Sequence, residues 1–303
     1  MTVARLWLVP VLASVIFLPT LAFPTAAAPI GYTDLLARPR PAPTKIIPYG
    51  PAAQQRGELF LPKGKGPHPV IVLIHGGCWL AELPGPELMD YVAADLQARG
   101  FAVWNIGYRR VGDPGGGYPG TFRDVADAFD ALLNLARTNE LNLKHVVAVG
   151  HSAGGHLALW GAARAHLPKT SPLYRTNPLS VRAVVSLAGI ADLDDYRTNG
   201  PSACGGPVTI DRLVSPANAA HHDAYADTSP ARLLPIGVPY VLVSGALDPI
   251  VPRGFAERFA TEARVAGDAP RELAIPDVGH FELIDPRSRA WKSIAAEIER
   301  LAR

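Results

Sequence analysis

With 303 residues, 48% of them apolar, the chain has enough length and hydrophobic content for one large core or for two domains of ordinary size. Its 29 basic and 27 acidic residues are spread along the whole chain and leave a formal charge of +2. That balance excludes a basic face for nucleic acid and argues against a polyanionic substrate.

The first segment has the anatomy of an export signal. A cation at Arg5, an apolar run from Leu6 to Leu18 and small residues through Ala26-Ala27-Ala28 predict a signal peptide over residues 1–28, cleaved after Ala22 or after Ala28. The alternative is an uncleaved anchor, but the run is short for a spanning helix and is interrupted by Pro10 and Pro19. The expectation is an exported chain, periplasmic or extracellular, with no stable membrane span after processing. Residues 29–43 are rich in Pro and Ala and predict an extended arm laid across the surface rather than a helix. One compact domain is expected over residues 44–303.

Within that domain, Gly57–Pro62 reads as a short strand before the turn-rich Lys63–Pro67. The runs 69–74, 101–106, 145–149, 183–187 and 240–243 are continuous and rich in β-branched residues, as strands buried on both faces should be. Residues 86–99, 122–137 and 152–165 carry helical spacing, 271–275 reads as a last strand and 288–301 as a closing helix. Strand and helix in alternation predict an α/β fold, a mainly parallel central sheet with helices on both faces. One connection breaks the rhythm: residues 190–235 form a long, polar, Pro-punctuated insertion that begins at a carboxyl strand end, where α/β sheets bind ligands. It predicts a lid, with a solvated excursion as the alternative.

Gly150-His151-Ser152-Ala153-Gly154 follows a strand and opens a helix, the context in which G-x-S-x-G marks a nucleophile on a tight turn. A serine hydroxyl needs a base. Asp248 and His280 lie just after the last two predicted strands, so both emerge at the carboxyl edge, and the order Ser152, Asp248, His280 gives nucleophile, acid and base. Asp277, Asp192, Asp194 and Asp195 are weaker candidates for the acid. His75-Gly76-Gly77-Cys78-Trp79 follows the first parallel strand, and its glycines allow backbone N–H groups to face a substrate oxygen. The expected oxyanion donors are the N–H groups of Gly77, Cys78 and Ala153. Trp79 and Phe281 flank these loops and are candidate walls of an apolar substrate pocket, with core packing as the alternative. His156 reads as packed, and His221-His222-Asp223 reads as a solvated loop rather than a metal cluster. Cys78 and Cys204 are the only cysteines. Both a disulfide and two separate buried thiols fit an exported chain.

These residues resemble the esterase and lipase branch of the α/β-hydrolase fold, which includes hormone-sensitive-lipase-like esterases, feruloyl and acetylxylan esterases and kynurenine formamidases. The resemblance runs from about Val70 to the C-terminus and also takes in Tyr108-Arg109, Tyr118-Pro119 and Asp124, of which Tyr108, Arg109 and Asp124 read as structural buttresses. Cys78-Trp79 stands where the lipase-like group has a third glycine, which is closer to the formamidase and feruloyl esterase groups and argues against long-chain lipids. The resemblance implies a serine hydrolase acting on small-molecule esters, with no metal and no organic cofactor, and an apolar pocket lined by Trp79 and Phe281 would favour small or aromatic acyl groups. An amidase, formamidase or peptidase with the same triad is the nearest alternative, and a non-catalytic hydrolase-fold binding protein a more distant one.

Overall fold

The apolar runs pair edge to edge into one eight-stranded sheet. The computed structural model describes Val3 and residues 28–214 and 223–303, so most of the expected signal segment, and His221-His222, lie outside the described residues. In chain order the elements are α1 (Tyr32–Leu36), β1 (Lys45–Pro48), β2 (Arg56–Phe60), β3 (His68–Ile74), α2 (Asp90–Ala98), β4 (Ala102–Ile106), α3 (Gly120–Leu135), β5 (Leu141–His151) and α4 (Ala153–Ala163). There follow β6 (Ala183–Leu187), α5 (Leu193–Asn199), α6 (Pro207–Val214), α7 (Ala224–Thr228), β7 (Tyr240–Gly245), α8 (Gly254–Val265), β8 (Arg271–Ile275) and α9 (Trp291–Ala302).

The strand order is β1-β2-β4-β3-β5-β6-β7-β8. β1 and β2, and β2 and β4, pair antiparallel, and every other pair is parallel. Every residue of β4, β6 and β7 is buried, which requires cover on both faces and explains why these runs show no alternation. Part of that cover comes from α4 and α9, each of which packs on β5 and β6. All the parallel strands end at one edge, and their loops carry Gly76-Gly77, Ser152, Asp248 and His280 there.

One expectation needs correction. The arm is not wholly extended, because the interval between Pro29 and Pro39 contains no proline and folds into α1. The Gly31 N–H donates to Asp34 Oδ2 at 2.7 Å, and Leu35 loses all its exposed surface, so burial overrides the bias of the flanking prolines. The described part of the 190–235 insertion holds α5, α6 and α7, with Asp192 capping α5 through the N–H groups of Asp194 and Asp195.

The C-terminal end of α4 is pinned by Arg164. Its guanidinium is buried and donates to Asp130 Oδ1 and Oδ2 on α3 and to the carbonyls of Ala126 and Leu179. Asp130→Ala leaves that cation with carbonyl partners only. Because Asp130 is itself partly exposed, a loss of about 2 kcal/mol is expected, below that of a wholly buried pair, and urea unfolding of the purified variant checks it.

Candidate active site

Ser152 stands alone between β5 and α4, with φ 55° and ψ −122°, a conformation that L-residues rarely adopt. Its N–H donates to the Leu187 carbonyl of β6 at 2.8 Å, and its carbonyl accepts the Gly155 N–H at 2.8 Å. The turn is possible because glycines stand two residues to either side of it and on the facing loop. A Cβ on Gly154 would run into the carbonyls of Ile74 and His75, and a Cβ on Gly76 would lie 3.0 Å from Ser152 Cβ. The two glycine-bearing motifs of the sequence therefore touch each other.

Asp248 follows β7 and His280 follows β8, and the two meet. His280 Nδ1–H donates to Asp248 Oδ2 at 2.6 Å, while Asp248 Oδ1 accepts the N–H groups of Ile250 and Val251 at 2.8 and 2.9 Å. Both side chains are buried. The carboxylate thus fixes the tautomer and leaves Nε2 as the basic nitrogen. The other acids are engaged elsewhere: Asp277 is exposed beside Arg289, Asp192 caps α5, and Asp194 and Asp195 pair with Arg232 and Arg258. No hydrogen bond joins Ser152 Oγ to His280; catalytic hydrogen bonds of this kind often tighten only in the substrate complex.

His151 links the two loops instead, a role its position in the motif does not reveal. Its Nε2–H donates to the His280 carbonyl at 3.1 Å, and the two rings lie 4.3 Å apart. Burial, with the neighbouring His280, pushes the His151 imidazole well below its ordinary range, so it is neutral and its Nδ1 has no partner among the described residues.

The loop after β3 holds three successive residues at positive φ: Gly77 at 92°, Cys78 at 49° and Trp79 at 57°. The N–H groups of Gly77, Cys78 and Ala153 donate to no protein acceptor among the described residues. Two ties join this loop to the 190–235 insertion. A disulfide links Cys78 to Cys204, 126 positions away, across a Cα separation of 5.3 Å. The Trp79 indole N–H donates to His156 Nδ1 at 3.1 Å, and His156 Nε2–H donates to the Thr228 carbonyl at 2.8 Å. Indole only donates and a carbonyl only accepts, so one tautomer satisfies both, and burial, pulling His156 down to about 4, keeps it neutral.

Trp79 exposes no surface, which corrects its expected place in a pocket wall: its ring is core and its N–H is spent on His156. Phe281 is half-buried and stands edge-on to His280, with ring centres 5.1 Å apart. Tyr108 stacks on His75 and donates to its carbonyl at 2.9 Å. Asp124, fully buried, accepts from the backbone and guanidinium of Arg109 and from Gln55. Among the described residues no cluster of His, Cys, Asp and Glu is arranged to hold a metal ion, and no helix is long and apolar enough to cross a membrane.

Residues 58–262, more than half of the chain, match the protein family described as BD-FAE. Esterase LipQ of Mycobacterium tuberculosis (strain ATCC 25618 / H37Rv) is 23% identical over 251 residues, which are 80% of this chain and 58% of that protein. The chain therefore spans under two thirds of the length of this curated relative. Among solved structures, esterase B from Lactobacillus rhamnosis superposes with a TM-score of 0.74 at 20% identity, covering 89% of this chain and 88% of that one. A truncated carbohydrate esterase from gut microbiota gives 0.71 at 18% identity, covering 87% and 97%. These likenesses establish the α/β-hydrolase fold.

The intact mass of the oxidised protein should rise by two hydrogens on reduction, and an unchanged mass would dismiss the disulfide. His156→Ala strands the buried Trp79 N–H and the Thr228 carbonyl, so a loss of about 2 to 3 kcal/mol is expected in urea unfolding.

Proposed function

The chain belongs to the BD-FAE family of α/β-hydrolase esterases, and on that premise we propose that it hydrolyses carboxylic esters of small or aromatic acyl groups through an acyl-enzyme on Ser152. The observation that carries the reading is the 2.6 Å bond from His280 Nδ1–H to Asp248, at the edge where Ser152 heads α4. An imidazole so oriented presents Nε2 for the Ser152 proton, and the buried carboxylate stabilises the imidazolium that forms. As Ser152 Oγ attacks the ester carbonyl, the developing oxyanion takes hydrogen bonds from the N–H groups of Gly77, Cys78 and Ala153, which have no protein acceptor among the described residues. The His280 proton then passes to the leaving alcohol, and a water deprotonated by His280 attacks the acyl-enzyme and releases the acid.

Phe281 supports an apolar acyl wall beside His280, a role that Trp79, being wholly buried, does not share. The esterase names of the relatives favour ester over amide cleavage. The signal-like composition of residues 1–28 and the Cys78–Cys204 disulfide both support an oxidising, extracytoplasmic location.

With an activated acetate ester, Ser152→Ala should lower kcat by about a million-fold and Asp248→Asn by about ten-thousand-fold, since the amide misdirects the imidazole. A fluorophosphonate should label Ser152 in the native enzyme, found by mass spectrometry of the tryptic peptide. Near-normal turnover in pure Ser152→Ala enzyme would reject the assignment. Acyl preference is read from a panel of short, long and aromatic acyl esters with formanilides alongside, and faster formanilide cleavage would replace the esterase reading with the amidase one.

A further inference from the structure

We propose that residues 29–38 form a clamp that positions His280, a role that rests on His280 being the general base. This segment lies outside the family-matched residues 58–262, and so does the loop it grips. Glu282 is the hub of the contact. Its Oε1 accepts the Ile30 N–H at 2.7 Å and its Oε2 accepts the Gly279 N–H at 3.0 Å, so one carboxylate ties the arm's backbone to the residue before His280. Pro29 sits so close over Gly279 that a Cβ there would lie 2.6 Å from Pro29 Cβ. Tyr32 packs edge-on against Phe281 with ring centres 5.9 Å apart, and Phe281 in turn stands edge-on to His280.

The far end of the loop is held as well. Arg38 makes two parallel hydrogen bonds to Asp285, at 2.7 and 2.8 Å, with a carboxylate that is almost wholly buried. The arm is thus fastened to both ends of the 279–285 segment and, through the aromatic pair, to its middle. On the other side His280 is held by Asp248 at Nδ1 and by His151 at its carbonyl. A short loop carrying a base has few hydrogen bonds of its own with which to resist rotation, and small misplacements of a base cost large factors in rate. A cover for apolar surface would need Leu35 but not a carboxylate joining two backbone N–H groups on either side of the contact. The arm's second anchor, Arg40 on Asp90, makes no hydrogen bond to the 279–285 segment among the described residues and provides the control.

The whole chain is tested as Glu282→Ala, Glu282→Gln, Arg38→Gln and Arg40→Gln. With an acetate ester, Glu282→Ala and Arg38→Gln should lower kcat about ten- to a hundredfold with KM within about twofold, because a misplaced base slows chemistry without altering ester binding. Glu282→Gln, whose amide oxygen still accepts one of the two N–H groups, should recover part of that loss. Arg40→Gln should lower thermal stability and leave kcat unchanged. Hydrogen exchange of the 276–285 peptide should quicken in Glu282→Ala and Arg38→Gln and not in Arg40→Gln. Unchanged kcat in both clamp variants, or loss of kcat in Arg40→Gln in equal measure, overturns the proposal. If the native enzyme neither takes the fluorophosphonate at Ser152 nor cleaves esters, the serine-hydrolase reading falls separately, and unchanged exchange across all variants still refutes the clamp.

Discussion

The structure depends on how closely α4 can approach the carboxyl ends of β3 and β6. Ser152 is placed by that approach, since the helix must begin within one residue of the strand that precedes it. Gly154 meets the carbonyls of Ile74 and His75, and Gly155 meets Gly189, so a methyl group on either would push the helix away from the sheet. The left-handed conformation of Ser152 costs about 1 to 3 kcal/mol. It is sustained because almost every residue of α4 is buried, Leu157, Leu159 and Trp160 among them, and Arg164 fixes the distal end. Rigid packing of one helix thus supports an unfavourable backbone at the position of the proposed nucleophile.

A second strained segment faces the first. Gly77, Cys78 and Trp79 occupy positive φ in succession, and for Cys78 and Trp79 no local preference favours it. Their conformation is imposed from the 190–235 insertion, through the disulfide to Cys204 and through Trp79, His156 and the Thr228 carbonyl. The insertion is therefore part of the frame that shapes the loop, and its mobility near these two anchors is limited by them. A lid hinged elsewhere in the insertion is compatible with both ties; a lid that carries Cys204 or Thr228 away from the site is not.

Much of this was legible in the sequence because the signals were local. Continuous β-branched runs marked the parallel strands, and Gly150–Gly154 combined a motif with its strand–helix context, so Ser152, Asp248 and His280 followed from position along the chain. What escaped was long-range. The helix α1 spans only 5 residues, too short for periodicity to declare, and exists because Leu35 finds a buried site. Trp79 looked like a pocket wall because an aromatic beside a catalytic loop has two possible directions, and only the presence of His156 behind it decides between them. Glu282 carried no signal, since its partner Ile30 is 252 positions away. His151 was readable only as a variable position in its motif, though it touches the loop of His280.

If His280 is the general base, as proposed, the histidines around Ser152 explain how one of several imidazoles is reserved for proton transfer. His75, His151 and His156 are all fully buried, and burial drives each toward its neutral form, to about 3 for His75 and about 4 for His156. Each spends its N–H on a carbonyl: His75 on Gly76, His151 on His280 and His156 on Thr228. None has a carboxylate partner among the described residues; His280 does. That difference matters most at His151, whose ring is 4.3 Å from that of His280. Two imidazolium ions at that separation would repel strongly in a water-poor site, so a chargeable His151 would oppose proton transfer to His280 at the moment it is needed. Keeping His151 neutral lets it support the His280 loop by hydrogen bonding while leaving the single positive charge of the transition state to the imidazole that Asp248 faces.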